Sequence, residues 1–120
     1  MARILVVDDE TQVCHVLDEL LGQYEHEVAT ATSGPEAIAM LPDYQPELIL
    51  LDILMPDMDG MEVLNHIKDW NPEIPVVILT GVDDENIAEQ AIDAGARDYI
   101  TKPILGDQLE TVLLVYLLVK

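Results

Sequence analysis

The chain has 120 residues, of which 24 are acidic and five are basic, so its formal net charge is −19 at pH 7. A hydrophobic fraction of 50% excludes an acidic disordered chain and suits one globular domain. The charge argues against direct binding of nucleic acid or of an anionic membrane surface, because both require clustered lysine and arginine. One cysteine excludes an intrachain disulfide, and no apolar run is long enough to span a bilayer, so we expect a cytoplasmic protein.

Apolar runs alternate with helical patterns from the start of the chain. Residues 4–7 form a continuous apolar run, which is typical of a strand buried on both faces. A helical pattern follows, and then residues 28–31 predict a second, more polar strand. Ser33 and Glu36 have the spacing of a capping box at the start of the second helix, which we expect Pro42 to end.

The same alternation continues through the second half of the chain. Residues 48–51 predict a third, fully apolar strand, and Asp59 is expected to cap the helix that follows it. Residues 76–79 and 98–101 predict the fourth and fifth strands, with a helix between them. The last helix is expected from about Asp107 to the end of the chain.

Five βα units in sequence predict an α/β fold with a parallel sheet and helices on both faces. The first, third and fourth strands are the most apolar, so we expect them in the centre, with the second and fifth strands at the edges. Short right-handed connections then favour the order 2-1-3-4-5. The prediction is a three-layer, doubly wound (βα)5 domain of the flavodoxin-like type that covers residues 1–120.

Polar side chains follow four of the five predicted strands. Asp8 and Asp9 follow the first strand, Asp52 the third, Thr80 the fourth and Lys102 the fifth. In such sheets a ligand binds beyond the carboxyl ends of the strands, where the strand order reverses. The sequence therefore predicts three carboxylates, a hydroxyl group and an ammonium group at one edge of the sheet.

Three carboxylates within a few ångströms repel one another, which raises at least one of their pKa values, and a divalent cation relieves this repulsion. Oxygen ligands with room for water suit Mg²⁺. A metal ion beside a carboxylate, a lysine and a hydroxyl group is suited to phosphoryl transfer, with a carboxylate as the nucleophile.

Across its whole length the chain resembles a response regulator receiver domain. The resemblance depends on five motifs that occur in the expected order. These motifs are Asp8-Asp9, Asp52 with residues 53–60, Leu79-Thr80-Gly81, Ala94-Gly95-Ala96 leading to Asp98-Tyr99, and Lys102-Pro103.

The resemblance implies that Asp52 accepts a phosphoryl group from a sensor histidine kinase or a histidine phosphotransfer protein. It implies that Asp9, Asp52 and the backbone carbonyl of Leu54 hold Mg²⁺ (or Mn²⁺), with Asp8 assisting directly or through water. Such a domain is not an enzyme, although it has intrinsic capacity for autophosphorylation and autodephosphorylation.

The resemblance also assigns a switch. Lys102 is expected to pair with the phosphoryl group, Thr80 to move towards it, and Tyr99 to turn inward behind Thr80. The change on the face of the fourth helix, fifth strand and fifth helix would then control an output domain or a target protein. Lys102-Pro103 is expected to contain a cis peptide bond.

Two alternatives remain open on the sequence alone. Asp9 has the spacing of an N-cap for the first helix, with Gln12 three residues later. The domain could also be a phosphorylation-independent interaction or dimerisation module. Asp57 and Asp59 are interpreted as turn and cap residues.

Two further features are particular to this sequence. Leu54 and Val82 occupy positions where family members tune phosphoryl lifetime, and neither side chain can orient water, which predicts slow self-dephosphorylation. Residues 112–119 are apolar throughout, so we expect a partner to cover the last helix, and a homodimer is one candidate. This helix has no basic residue before Lys120, which argues against the dimer type of DNA-binding regulators.

Overall fold

The computed structural model describes residues 2–55, 59–81 and 84–118. Five strands and five α-helices alternate along the chain, and a π-helical turn follows the last α-helix. Their bounds are β1 Arg3–Val7, α1 Thr11–Gln23, β2 Glu27–Ala31, α2 Gly34–Tyr44, β3 Leu48–Asp52, α3 Gly60–Trp70, β4 Val76–Thr80, α4 Glu85–Asp93, β5 Asp98–Thr101, α5 Gly106–Leu113 and the π-helix Leu114–Leu118. Val82 and Asp57, both of which the sequence singles out, lie outside the described residues.

The strands form one parallel sheet in the order β2-β1-β3-β4-β5, which confirms the predicted fold. Every residue of β3 and β4 is buried, whereas β2 and β5 contain exposed residues, as expected for edge strands. In the register of the sheet Asp52 lies opposite Leu79, so the ends of β3 and β4 are side by side. The strand order reverses between β1 and β3, and the crevice predicted at this point lies at the same edge.

Alternate side chains of the central strands build two separate core layers. Leu5, Ile49 and Ile78 pack on the side of α2, α3 and α4. Ile4 and Leu50 pack on the opposite side, against α1 and α5. Burial on both faces explains why these strands are continuously apolar in the sequence.

The predicted cap of α2 by Ser33 is confirmed, and the reciprocal bond of the capping box is shifted by one residue to Thr32. Ser33 Oγ accepts a hydrogen bond from the backbone N–H of Glu36 at 3.2 Å, and Glu36 Oε1 accepts one from Thr32 N–H at 2.8 Å. Asp59 likewise caps α3, with Oδ1 accepting from Met61 N–H at 2.9 Å. Ser33 and Asp59 thus satisfy helix donors that have no partner within the helix.

The prediction that Pro42 ends α2 is wrong, because the helix continues to Tyr44. Proline in the last turn removes one backbone donor, which a helix end tolerates better than its centre. The added turn places the Tyr44 hydroxyl group within 3.3 Å of Ile4 O and 3.2 Å of Glu27 O, to which it donates. Gln45 then closes the helix in the left-handed conformation, with φ of 50°.

The C-terminal helix begins close to the predicted residue and changes to π-helical geometry at Leu114. The Tyr116 hydroxyl group anchors this turn to β5, with contacts of 3.2 Å to Arg97 O and Asp98 Oδ2. Leu114 and Val115 are about half exposed. Over the described part of the chain, every helix is too short or too polar to traverse a lipid bilayer.

Candidate functional site

The carboxyl ends of the strands bring together several of the predicted site residues. Asp8 follows β1 and is fully buried, while Asp52 and Thr80 are the last residues of β3 and β4 and are also buried. Lys102 follows β5 and reaches across the edge of the sheet. A parallel sheet places all these positions on one side because its strands end at the same edge.

Lys102 Nζ lies between three carboxylates. It is 2.8 Å from Asp8 Oδ2, 3.1 Å from Glu10 Oε1 and 3.2 Å from Asp52 Oδ2. The Asp8 and Asp52 side chains are buried, whereas the Glu10 side chain is largely exposed. The ammonium group therefore offsets part of the repulsion that the sequence predicts at this edge.

Asp8 and Asp52 use their two oxygen atoms in the same way. Asp8 Oδ1 accepts a hydrogen bond from Glu10 N–H at 2.9 Å, and Asp52 Oδ1 accepts one from Leu54 N–H at 3.0 Å. Each carboxylate thus fixes the backbone two residues ahead, and its Oδ2 atom faces Lys102. Leu54 contacts the site through its N–H group, while its exposed side chain points away from the core, and the role of its carbonyl stays a prediction.

The loop after Asp52 returns tightly to the end of β3. Leu54 and Asp59 form an antiparallel bridge. A Cβ atom at position 60 would lie 2.3 Å from the backbone oxygen of Ile53, so only glycine fits there. Glycine at position 60 therefore allows the start of α3 to pack against the backbone of Ile53, which follows Asp52.

Burial is the main influence on the titration of Asp52. It raises the pKa of this carboxyl group from 3.8 to about 6, assisted by the charge of Asp8 and opposed by Leu54 N–H and Lys102. For Lys102, burial acts to lower the pKa, but the carboxylates of Asp8, Asp52 and Glu10 outweigh it and raise the pKa above its usual value. Lys102 is therefore positively charged throughout the neutral range.

The acidic group is chemically suited to a divalent cation. Asp8, Glu10 and Asp52 each offer a carboxylate oxygen, and these three atoms lie within 4.8 Å of one another. Asp8 Oδ2 is buried and, although it pairs ionically with Lys102, accepts no hydrogen bond from the residues the structure describes. An oxygen-only set with spare acceptor capacity is the kind that Mg²⁺ prefers.

Glu10 belongs to this group, and the sequence reasoning missed it. Asp9, which the resemblance predicts as a metal ligand, is half-buried and is not a member of the group, so its role stays a prediction. The alternative that Asp9 caps α1 is wrong, because the helix begins at Thr11 with Glu10 as its N-cap residue. Glu10 makes no side-chain capping bond and instead reaches Lys102. Its position next to the acidic pair was the available signal.

The two predicted switch residues are apart in this structure. Thr80 Oγ1 is buried and donates to Ile100 O at 3.4 Å. Tyr99 is 41% exposed, so its ring lies at the surface of β5 and not behind Thr80. The Lys102–Pro103 peptide bond is cis, as the resemblance implies.

Comparisons with known proteins agree with this geometry. The family model described as the response regulator receiver domain matches residues 4–114. The transcriptional regulatory protein ZraR of Klebsiella oxytoca is 41% identical over 110 residues, which are 92% of this chain and 25% of ZraR. The response regulator PleD of Caulobacter vibrioides is 44% identical over 105 residues, which are 86% of this chain and 23% of PleD. The chain thus spans about a quarter of the length of these curated relatives.

A solved structure gives the same result. The receiver domain of NtrX from Brucella abortus superimposes with a TM-score of 0.93 and 37% sequence identity, over 98% of this chain and 99% of that one. The strand order, the acidic group beside Lys102 and the family match over most of the sequence are mutually consistent. This chain belongs to the response regulator receiver domain family of two-component systems.

Proposed function

We propose that the chain is a phosphorylation-activated signalling switch in which Asp52 accepts a phosphoryl group from a sensor histidine kinase or a histidine phosphotransfer protein. The observation that carries the proposal is the position of Asp52. Its Oδ1 atom is held by Leu54 N–H, and its Oδ2 atom lies 3.2 Å from Lys102 Nζ at the sheet edge. This arrangement leaves one oriented oxygen atom beside a fixed positive charge.

In the proposed reaction, Asp52 Oδ2 attacks the phosphorus atom of a phosphohistidine. A P–O bond forms, the P–N bond breaks, and the histidine nitrogen leaves with its electron pair. Lys102 then moves its ion pair from the carboxylate to the phosphoryl oxygens. A divalent cation held by Asp8, Glu10 and Asp52, with Asp9 and the Leu54 carbonyl as the resemblance predicts, would supply further positive charge to those oxygens.

The switch that follows involves Thr80 and Tyr99. Thr80 Oγ1 exchanges its long contact with Ile100 O for a phosphoryl oxygen, and the exposed Tyr99 ring turns inward behind it. The surface of α4, β5 and α5 changes as a result. We propose that an output domain or a target protein binds this surface and so responds to phosphorylation.

Intact-mass measurement with acetyl phosphate and Mg²⁺ tests the proposal. We expect wild-type protein to gain one phosphoryl group and Asp52→Asn to gain none. Asp69→Asn, which removes an exposed carboxylate on α3, is the matched control and keeps the gain. No gain in the wild type would instead support the phosphorylation-independent interaction module, and an equal gain in Asp52→Asn would show that a residue other than Asp52 is the acceptor.

Self-association through the C-terminal helix is a separate part of the proposal. Among the side chains of this apolar segment that the structure describes, Leu114 and Val115 are about half exposed. Sedimentation velocity with and without acetyl phosphate should show a dimer that Leu114→Glu weakens. A monomer at all concentrations in both states would contradict self-association, and a different protein would then be the candidate partner of this surface.

A further inference from the structure

The loop between β4 and α4 contains a contact that the proposed switch does not use. Gly81 N–H, the amide directly after Thr80, donates a hydrogen bond to Asp84 Oδ2 at 3.1 Å. Asp84 is the N-cap residue of α4, yet its side chain makes no capping bond to that helix. Its carboxylate turns back to Gly81 and away from the donors that an N-cap aspartate ordinarily binds.

The hydrogen bonds at the end of β4 indicate the side of the strand on which the Gly81 amide would lie if the strand pattern extended by one residue. Successive residues of a strand direct their backbone groups to alternate neighbours. Leu79 O accepts from Ile53 N on the β3 side, whereas Thr80 O accepts from Lys102 N on the β5 side. The same alternation, extended by one residue beyond the end of β4, would direct the Gly81 N–H to the β3 side, where Asp52 lies.

The space at position 81 is matched to the Asp84 carboxylate. A Cβ atom at position 81 would lie 2.6 Å from Asp84 Oδ2, and among the described residues beyond its chain neighbours it would meet only this carboxylate within 4 Å. Glycine therefore permits the close approach of Asp84. Alanine at this position should therefore displace the carboxylate, which is the one group of the described residues that its Cβ atom would crowd.

We infer that Asp84 is an internal competitor of the phosphoryl group: its carboxylate occupies the Gly81 N–H in the unphosphorylated state and leaves when Asp52 carries a phosphoryl group. This inference rests on the proposed function of Asp52. An amide that binds one anionic oxygen is a ready donor for another, and a phosphoryl group on the neighbouring strand end presents three. Asp84 thus acts through Gly81 as a positioning residue.

The released carboxylate has a second set of donors available. Asp84 already lies at the N-cap of α4, where the first-turn N–H groups receive no side-chain cap from it. Moving from Gly81 to these donors exchanges one hydrogen bond for another. Phosphorylation of Asp52 would thereby cap α4, which links the acceptor to a helix of the proposed output surface.

Binding of beryllofluoride in the presence of Mg²⁺ tests the inference, because this phosphoryl analogue binds an aspartate without turnover. Asp84→Ala and Gly81→Ala should each tighten binding about threefold to tenfold, which is the scale of the net contribution of one hydrogen bond. Only Asp84→Ala changes the net charge, so agreement between the two variants separates competition from simple repulsion. The double variant should bind no more tightly than either single variant.

Glu85→Ala is the matched control, since it removes an exposed carboxylate one residue away and should leave binding unchanged. The amide proton of Gly81 provides a second readout: its NMR signal should move upfield in Asp84→Ala and not in Glu85→Ala. Wild-type binding that neither Asp84→Ala nor Gly81→Ala improves would overturn the inference alone. Failure of all variants and of the wild type to bind beryllofluoride would overturn the proposed function together with it.

Discussion

Asp52 Oδ2 and Lys102 Nζ lie 3.2 Å apart, although 50 residues separate them in the sequence. The same ammonium group contacts Asp8 and Glu10, so one lysine neutralises part of a three-carboxylate group. Without a metal ion, Lys102 is the cation of this site. Removal of Lys102 therefore affects the stability of the fold. It also removes the ammonium group that competes with a divalent cation for the carboxylates.

Lys102→Gln should lower the free energy of unfolding in chelator by about 3 kcal/mol, because it leaves Asp8 and Asp52 buried and without their cation. Urea denaturation measures this change. Added Mg²⁺ should restore more stability to the variant than to the wild type. Arg3→Gln is the control, since the exposed Arg3–Glu47 pair at 3.6 Å should contribute less than about 1 kcal/mol. Equal effects of the two variants would contradict the assigned role of Lys102.

Asp52 should make the metal-free fold less stable as the pH rises. Its pKa is about 6 in the folded protein and 3.8 without the fold, so the folded state holds the proton more tightly between these values. The free energy of unfolding in chelator should therefore fall from about pH 4 to about pH 7, by up to about 3 kcal/mol. Asp52→Asn should flatten this dependence and be the more stable protein at neutral pH, while Asp69→Asn should retain it. An unchanged slope in Asp52→Asn would count against the raised pKa.

Leu54 should make the phosphoryl group long-lived. Its side chain is 51% exposed, two residues beyond Asp52, and offers no group that could orient an attacking water molecule. Leu54→Asn should accelerate loss of the phosphoryl group several-fold once the donor is removed, and adding Val82→Glu should accelerate it further. Intact mass over time measures the rate. Leu105→Asn changes an equally exposed leucine outside the site and should have no effect.

Gly60 should tolerate no side chain. A Cβ atom would lie 2.3 Å from Ile53 O, so Gly60→Ala should destabilise the protein by about 1–3 kcal/mol and disturb the segment after Asp52. Gly22→Ala is the opposite control, because a Cβ atom there would have no described atom within 4 Å beyond its own stretch of α1, and alanine favours the helix. In thermal unfolding, the melting temperature of Gly22→Ala should be higher than that of the wild type, and that of Gly60→Ala should be lower. The reverse order would refute the steric argument.

Much of the fold follows from the residue pattern. Continuous apolar runs mark β1, β3 and β4 because these strands are buried on both faces, and that property fixes their central position. The end of α2 was mispredicted because Pro42 is a local signal, whereas the continuation depends on the Tyr44 hydroxyl group reaching backbone oxygens of β1 and β2. Contacts between residues that are distant in the chain leave no periodic pattern of residue types from which they could be predicted.

The sequence was sufficient to predict which site residues lie at the ends of the strands. Asp8, Asp52 and Lys102 follow from the rule that parallel strands end at one edge. The sequence could not show that Glu10, and not Asp9, contacts Lys102, because this depends on the direction each side chain takes at the turn into α1. Nor could it show that Asp84 turns back to Gly81, since the usual expectation for an N-cap aspartate is to bind its own helix.

The paired use of the Asp8 and Asp52 oxygen atoms has a consequence for the cost of activation. Because each Oδ1 atom already holds the backbone two residues ahead, residues 8–10 and 52–54 lose conformational entropy when the chain folds and not when a ligand binds. A cation or a phosphoryl group therefore orders little of the backbone in these two segments. Its affinity at the carboxylates should depend on charge and on the exchange of ion pairs more than on the entropy of ordering residues 8–10 and 52–54.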